Sequence, residues 1–268
     1  MHFRVSTLAI LASLATSILA APAPAPVAEA APAPDKVEKR QAGAAPTLGE
    51  EPEPTYTGRA YGQLDLIAKL VTAPLQADRI ALLRDEDFIF DFRNIEGTIQ
   101  VATGNAGRVV VANRKTFPAL IGTGSGMAIG FLGPCGFNTP HTHPRATELN
   151  VPVVGSLNTS LILENGVRVI NAHVNTFQLH VFPQGAIHQE FNPDCGETIF
   201  VAGFNNEDFG TSQVADNFFK LPSNVITAAV GGTIVVDGRD IDQFRDLIPH
   251  NVAIGVQECL TKCGLSKR

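Results

Sequence analysis

His141, His143 and Glu148 stand so close together that they dictate what kind of backbone must carry them. On a strand, residues two apart share a face and lie about 7 Å apart along the chain, so the two imidazoles can grip one ion. Glu148 is too far along to sit on the same straight strand, and Pro144 is placed to bend the chain between them. A second run, FPQGAIHQEFN from Phe182 to Asn192, offers a fourth candidate. There Pro183 and Gly185 signal a turn and His188 follows on a new strand. Three imidazoles and a carboxylate suit Mn, Fe, Zn, Ni or Cu, and leave positions open on an ion that prefers six ligands. His173, His180 and His250 share none of these spacings and are expected to be ordinary hydrogen-bonded polar residues.

The surrounding sequence has the period of strands. Apolar residues alternate in short runs at 88–92, 108–112, 127–132, 148–154, 157–163, 168–174, 178–182, 187–191 and 198–204, separated by Gly, Asn and Pro. Asn165-Gly166 is a hairpin signal, because both residues accept the positive φ of a tight turn. Many short strands predict an all-β antiparallel barrel or sandwich. Before it, residues 61–83 carry apolar positions at helical spacing, interrupted at Pro74. After it, helices are expected over 213–221, 222–230, 240–247 and 251–259.

The two spacings, H-x-H-x4-E-x6-G ending at Gly155 and P-x-G-x2-H-x3-N ending at Asn192, resemble the paired motifs of the cupin superfamily. The run NTPHTHPRATE resembles the first of these motifs in germins, germin-like proteins and spherulins, and the likeness extends over residues 88–235. It implies a single jelly-roll barrel over 88–210, with a helical lead-in at 61–87 and a helical region at 211–268 that clasps other subunits into a trimer or a trimer of dimers. It also implies one manganese ion per chain on His141, His143, Glu148 and His188, through which any catalysis would run, and a substrate contact at Asn138. Arg145 and Thr147 flank the ligands and either orient them or serve the turn.

Germins are associated with oxalate oxidation and germin-like proteins with superoxide dismutation. A second asparagine that contacts substrate in germins falls here on Ala128, which has no hydrogen bond to give a carboxylate, and no proton donor stands out beside the ligands. The resemblance therefore implies superoxide chemistry ahead of oxalate oxidation. The non-enzymatic alternative, drawn from the spherulins, is a metal-stabilised protein of a cell wall or a spore or cyst coat.

The N-terminus reads as an address. Arg4 precedes an apolar run to Ala20, too short to span a membrane comfortably, so 1–20 is expected to be a secretory signal peptide and the protein to be extracellular or in a cell wall. Residues 21–40 are an Ala/Pro-rich pro-segment that ends in the dibasic pair Lys39-Arg40, and 41–60 form a flexible arm. A net charge of −6 with no basic stripe argues against nucleic acid, and no second apolar run is long enough for a membrane span. The expected partner at the metal is a small anion or oxygen species. Four cysteines in a secreted chain predict two disulfides, for which three connectivities exist. Cys135 and Cys195 flank the two metal motifs and are expected to meet at the barrel mouth, which leaves Cys259 for Cys263, although a regular helix orients that spacing poorly. Asn158-Thr159-Ser160 is a glycosylation sequon within an expected strand.

Overall fold

Two antiparallel sheets face each other, and their strands alternate between core and surface. The computed structural model describes residues 64–93, 101–232 and 247–266. One sheet runs β1-β2-β3-β10-β5-β8, with β1 at Val101–Gly104, β2 at Gly107–Ala112, β3 at Gly126–Leu132, β5 at Glu148–Val154, β8 at His180–Phe182 and β10 at Thr198–Phe204. The other runs β11-β4-β9-β6-β7, with β4 at Gly136–Thr142, β6 at Leu157–Ile162, β7 at Ile170–Val174, β9 at Ile187–Phe191 and β11 at Ser212–Gln213. A further strand, β12 at Val252–Ile254, pairs with β4. This is the jelly-roll arrangement expected, two sheets whose inner faces share one core.

Period-2 burial builds that core. Along β3 and β10 every second residue is buried, and Ala128, Leu132, Phe200, Ala202 and Phe204 meet Leu157 and Val174 of the opposite sheet. Gly130 lies between them because a Cβ there would come within 2.1 Å of the Phe200 ring. The alternate residues of the same sheet are also apolar but point outward: Met127, Leu149, Val154 and Val181 are more than 40% exposed, beside half-buried Ile129, Val151 and Val201. A soluble antiparallel sheet ordinarily shows polar residues on its outer face.

The motif glycines and asparagine fix corners. Gly155 turns β5 into β6 at φ +71°, and a Cβ on it would fall 2.5 Å from Thr198 Oγ1. Asn192 is fully buried at the end of β9, where its Nδ2 donates to the carbonyls of Leu132, Gly133 and Gly196 while its Oδ1 accepts from Asp194 N–H. One side chain thus ties three loops at one end of the sandwich.

The helical spacing before the barrel resolves into α1, Leu64–Thr72, and α2, Gln76–Ala81, parted at Pro74. After it come α3, Val214–Phe218, and α4, Ser223–Ala229, both shorter than expected. Two expectations give way. Residues 88–92 form no strand, because Asp85–Phe88 is a 3-10 turn held by Asp87 accepting from the backbone and guanidinium of Arg84. The helix expected over 251–259 begins only at Gln257, because the free edge of β4 captures Val252–Ile254 as a strand; the helix proper is α5, Gln257–Cys263. The helix expected over 240–247 falls on residues outside those described, except its last, and so do the signal peptide, pro-segment and arm.

The disulfides also correct the expected pairing. Cys135 bonds Cys259, and Cys195 bonds Cys263. Cys135 and Cys195 are indeed neighbours, with Cys135 N–H donating to the carbonyl of Asp194, yet they do not bond each other. Cys259 and Cys263 are one turn apart on the same face of α5, so the helix lies across both barrel cysteines and each takes a different partner. Among the described residues no cysteine remains free, which removes a cysteine metal site.

Candidate metal centre

Proline sets the geometry of the first motif. Pro140 has no N–H for the ladder, and the pairing of β4 with β9 is irregular between Asn138 and His141. Past the irregularity, His141 stands directly opposite His188 of β9, and the ring centroids are 4.2 Å apart. His143 lies just beyond the end of β4. The chain then turns through 144–147 and crosses to the other sheet, where Glu148 is the first residue of β5. The two sheets therefore each supply part of the cluster.

All four residues are at most 5% exposed. Glu148 Oε2 lies 2.9 Å from His143 Nε2 and 3.2 Å from His188 Nε2, and the four ligand atoms all fall within 4.8 Å of one another. The outer ring nitrogens explain the aim of the inner ones. His141 Nδ1 is 2.9 Å from Thr139 O, His143 Nδ1 is 2.6 Å from Gly210 O, and His188 Nδ1 is 2.9 Å from Ala186 O. A carbonyl only accepts, so each Nδ1 carries a proton, and it is Nε2, the atom with a lone pair to give when the ring is neutral, that each ring turns inward. Three ring nitrogens and a carboxylate converge on one point, where a cation would meet all four. The donor set and its orientation therefore fit a bound transition metal.

Electrostatics agree with this. Burial holds His141 well below the usual imidazole range, and the neighbouring His188 and His143 push it in the same direction. Burial alone would raise Glu148, but its contacts with His143 and His188 outweigh that and hold it well below the usual carboxylate range. A neutral imidazole and an ionised carboxylate, the forms these shifts favour at His141 and Glu148, are the forms a metal needs.

Around the cluster, Phe182 stacks on His188 at 4.3 Å, and Phe204 and Phe209 pack edge-on against His143. Asn138 is buried with its Nδ2 3.5 Å from His141 Nε2, so the structure brings it to the ligands. Ala128 also lines the cavity beside them, where the germin resemblance would have an asparagine. Arg145 does not reach the cluster: it donates to Asp208 through backbone and side-chain oxygens, and so anchors the loop that carries Gly210. Thr147 likewise serves the turn, its N–H donating to Asn205. His173, His180 and His250 each hydrogen-bond outside the cluster, to Asn158, Thr159 and Asp216. Asn158, the sequon asparagine, lies in β6 with its Oδ1 taken by His173.

Sequence reasoning missed a carboxyl near the ligands. Glu190 is fully buried two positions after His188, on the same face of β9, with Oε1 4.0 Å from His188 Nε2 and 3.5 Å from Asn150 Nδ2. Burial and the charge of Glu148 push its carboxyl well above the usual range. The period-2 rule applied to β9 would have found it, so a carboxyl whose burial favours its protonated form does stand beside the ligands after all.

The cupin family model matches residues 94–232, just over half the chain. This chain is a cupin. The match spans β1 to α4 and includes all four ligand residues. Similar proteins include Spherulin-1A of Physarum polycephalum, 41% identical over 202 residues, covering 75% of this cupin and 80% of that protein. Germin-like protein 1-1 of Oryza sativa subsp. japonica is 31% identical over 202 residues, covering 75% and 90%. Among solved structures, one of oxalate oxidase is 25% identical with a TM-score of 0.50 and covers 62% of the cupin and 85% of that chain. The homologues are thus spherulins and germin-like proteins. Among the described residues no helix is long and apolar enough to cross a membrane.

Proposed function

We propose that this cupin is a secreted manganese protein, with the ion held by His141, His143, Glu148 and His188, and that it acts on a small oxygen species in the manner of a superoxide dismutase. The observation that carries the reading is the convergence of three imidazole lone pairs and the Glu148 carboxylate, each ring locked by a backbone carbonyl. A manganese ion held there would supply a redox centre that alternates between two oxidation states. The protein's own residues supply the rest. Phe182, Phe204 and Phe209 keep bulk water from the rings, the buried Glu148 compensates the ion's charge, and Asn138 offers a polar contact to a small guest. Glu190, whose burial favours its protonated form, is a candidate proton donor near the ligands.

Oxalate oxidation is the weaker enzymatic reading, because Ala128 cannot donate to a carboxylate. A non-enzymatic reading has its own support: a cluster this buried, in a barrel cross-linked by two disulfides, is what a metal used as a staple looks like. The cystines also favour an extracellular setting. The apolar outer face around Met127, Leu149 and Val181 favours assembly into a homo-oligomer, since monomers rarely leave such a patch bare.

The deciding experiment is metal content by mass spectrometry on secreted protein, wild type beside His141→Ala, followed by superoxide dismutation compared with free Mn. One Mn per chain, lost in the variant, with dismutation beyond that of the free ion, supports the enzyme. Metal without activity moves the assignment to the structural role, and a wild type without metal overturns both.

A further inference from the structure

The two sheets present different outer faces. That of β3, β10 and β5 is apolar, whereas the middle of the face made by β9, β6 and β7 is polar without being charged. Asn158 and Ser160 of β6 stand there beside Asn171 and His173 of β7 and Gln189 of β9, while Leu157, Thr159 and Leu161 of β6 turn into the core. In the ladders Asn158 is opposite His173, and Ser160 is opposite both Asn171 and Gln189. A hollow of about 340 Å³ lies over this patch, and no charged residue lines it. An exposed polar face ordinarily includes Lys, Glu, Asp or Arg, the types most at home in water. A cavity of about 150 Å³ holds a benzene, so this hollow has room for a sugar ring with its substituents.

Asn158 is the residue oriented toward this space. Asn158-Thr159-Ser160 is the only Asn-X-Ser/Thr sequence in the chain with X other than proline. An amide oxygen only accepts, so His173 Nδ1 donates to Asn158 Oδ1, at 2.8 Å. That bond fixes the amide with its nitrogen, Nδ2, turned away from the ring. Among the described residues Nδ2 has no hydrogen-bond partner. The sequon hydroxyl shares the same side of the sheet, where Ser160 Oγ donates to Asn171 Oδ1 at 2.8 Å.

We infer that Asn158 carries an N-linked glycan whose first sugar lies in the hollow over Asn171 and His173. The inference rests on the secreted reading proposed above. In the transfer, Nδ2 gives up one proton and bonds to the anomeric carbon of an oligosaccharide carried on a lipid diphosphate. The bond from that carbon to the phosphate oxygen breaks, and the lipid diphosphate leaves. The folded site suits the product, because Oδ1 keeps its bond from His173 and the bulk extends to solvent. Neutral amides, a hydroxyl and an imidazole are what sugar hydroxyls pair with, since each both donates and accepts. β7 is the edge of its sheet, so the glycan also shields an edge strand from pairing with another chain. The same bulk keeps this face out of contacts between copies and leaves the apolar face for assembly.

The test uses the full chain secreted by a eukaryotic host. Wild type from the medium should lose mass on treatment with peptide N-glycosidase, and peptide mapping should find Asn158 converted to aspartate by that treatment. Ser160→Ala and Asn158→Gln should each lack the mass that the enzyme removes, whereas Ser160→Thr should keep it. The position of the first sugar is read by labelling histidines with diethyl pyrocarbonate, with the exposed His250 as internal reference. Relative to His250, His173 should react several-fold more slowly in wild type than in Ser160→Ala. That protection should survive trimming of the glycan to its first sugar by an endoglycosidase. An Asn158 peptide recovered from the medium without sugar overturns the inference while secretion stands. Equal labelling of His173 in glycosylated wild type and Ser160→Ala overturns the placement over His173. A chain absent from the medium overturns the secreted reading and this one with it.

Discussion

His143 Nδ1 lies 2.6 Å from the carbonyl oxygen of Gly210, 67 residues further along the chain. His141 and His188 are oriented by carbonyls two positions away on their own segments, whereas His143 depends on a distant loop. That loop is held by Arg145, which reaches across to Asp208, and by Asn206, which donates to the Arg145 carbonyl. Arg145→Ala should therefore weaken metal affinity about tenfold without removing a ligand, the lower end of what loss of ligand orientation costs. A competition titration with a chelator measures this, and an unchanged affinity would show that the loop needs no such anchor.

Asn192→Ala removes three donor contacts to buried carbonyls at once. The expected loss is about 2–4 kcal/mol, or roughly 5–15 °C in the melting temperature of a domain this size. The melt should be run on metal-loaded and metal-free protein. The deficit should appear in both, because Asn192 ties loops and does not touch the cluster.

Peptide mapping without reduction should recover Cys135 linked to Cys259 and Cys195 linked to Cys263. Replacing either pair by serine should destabilise the fold by about 2–4 kcal/mol. A Cys135–Cys195 peptide would mean that α5 does not lie across the barrel cysteines.

Acid should destabilise the metal-free protein. His141 is held below its unfolded value, so the unfolded chain binds more protons as pH falls below about 6.5, and stability falls with it. Glu148 is also held low, and its contribution, present above the usual carboxylate range, is lost as pH falls through its depressed value. Glu190 works the other way: its raised value stabilises the fold at low pH, and that contribution fades as pH rises through it. Glu190→Gln, which mimics the protonated form, should leave stability near pH 5 nearly unchanged and raise it at higher pH. Denaturant melts at several pH values would reveal it.

Much of this could be read from the sequence because the ligand residues fall at spacings that only particular backbones satisfy. His141 and His143 require a strand, and Glu148 then requires the crossing at 144–147 that the structure contains. Period-2 runs found β5, β9 and β10 at their ends, since both faces of those strands are set by the sandwich. What escaped depended on partners distant in sequence. Val252–Ile254 looks helical alone and becomes a strand only because β4 offers it an edge. Gln213 carries no local signal, and its place in the cavity beside the ligands follows from its pairing with His141. The cystine connectivity was invisible for the same reason, because it turns on where α5 comes to rest.

Both cystines end in α5, and the chain segments they enclose overlap. A protease that cuts one peptide bond anywhere between residues 136 and 258 therefore releases nothing, since the two pieces remain covalently joined through the C-terminal helix. The nicked protein would keep every strand of the barrel that lies in that interval tethered beside its neighbours, and a break in the backbone would open a loop instead of dividing the molecule.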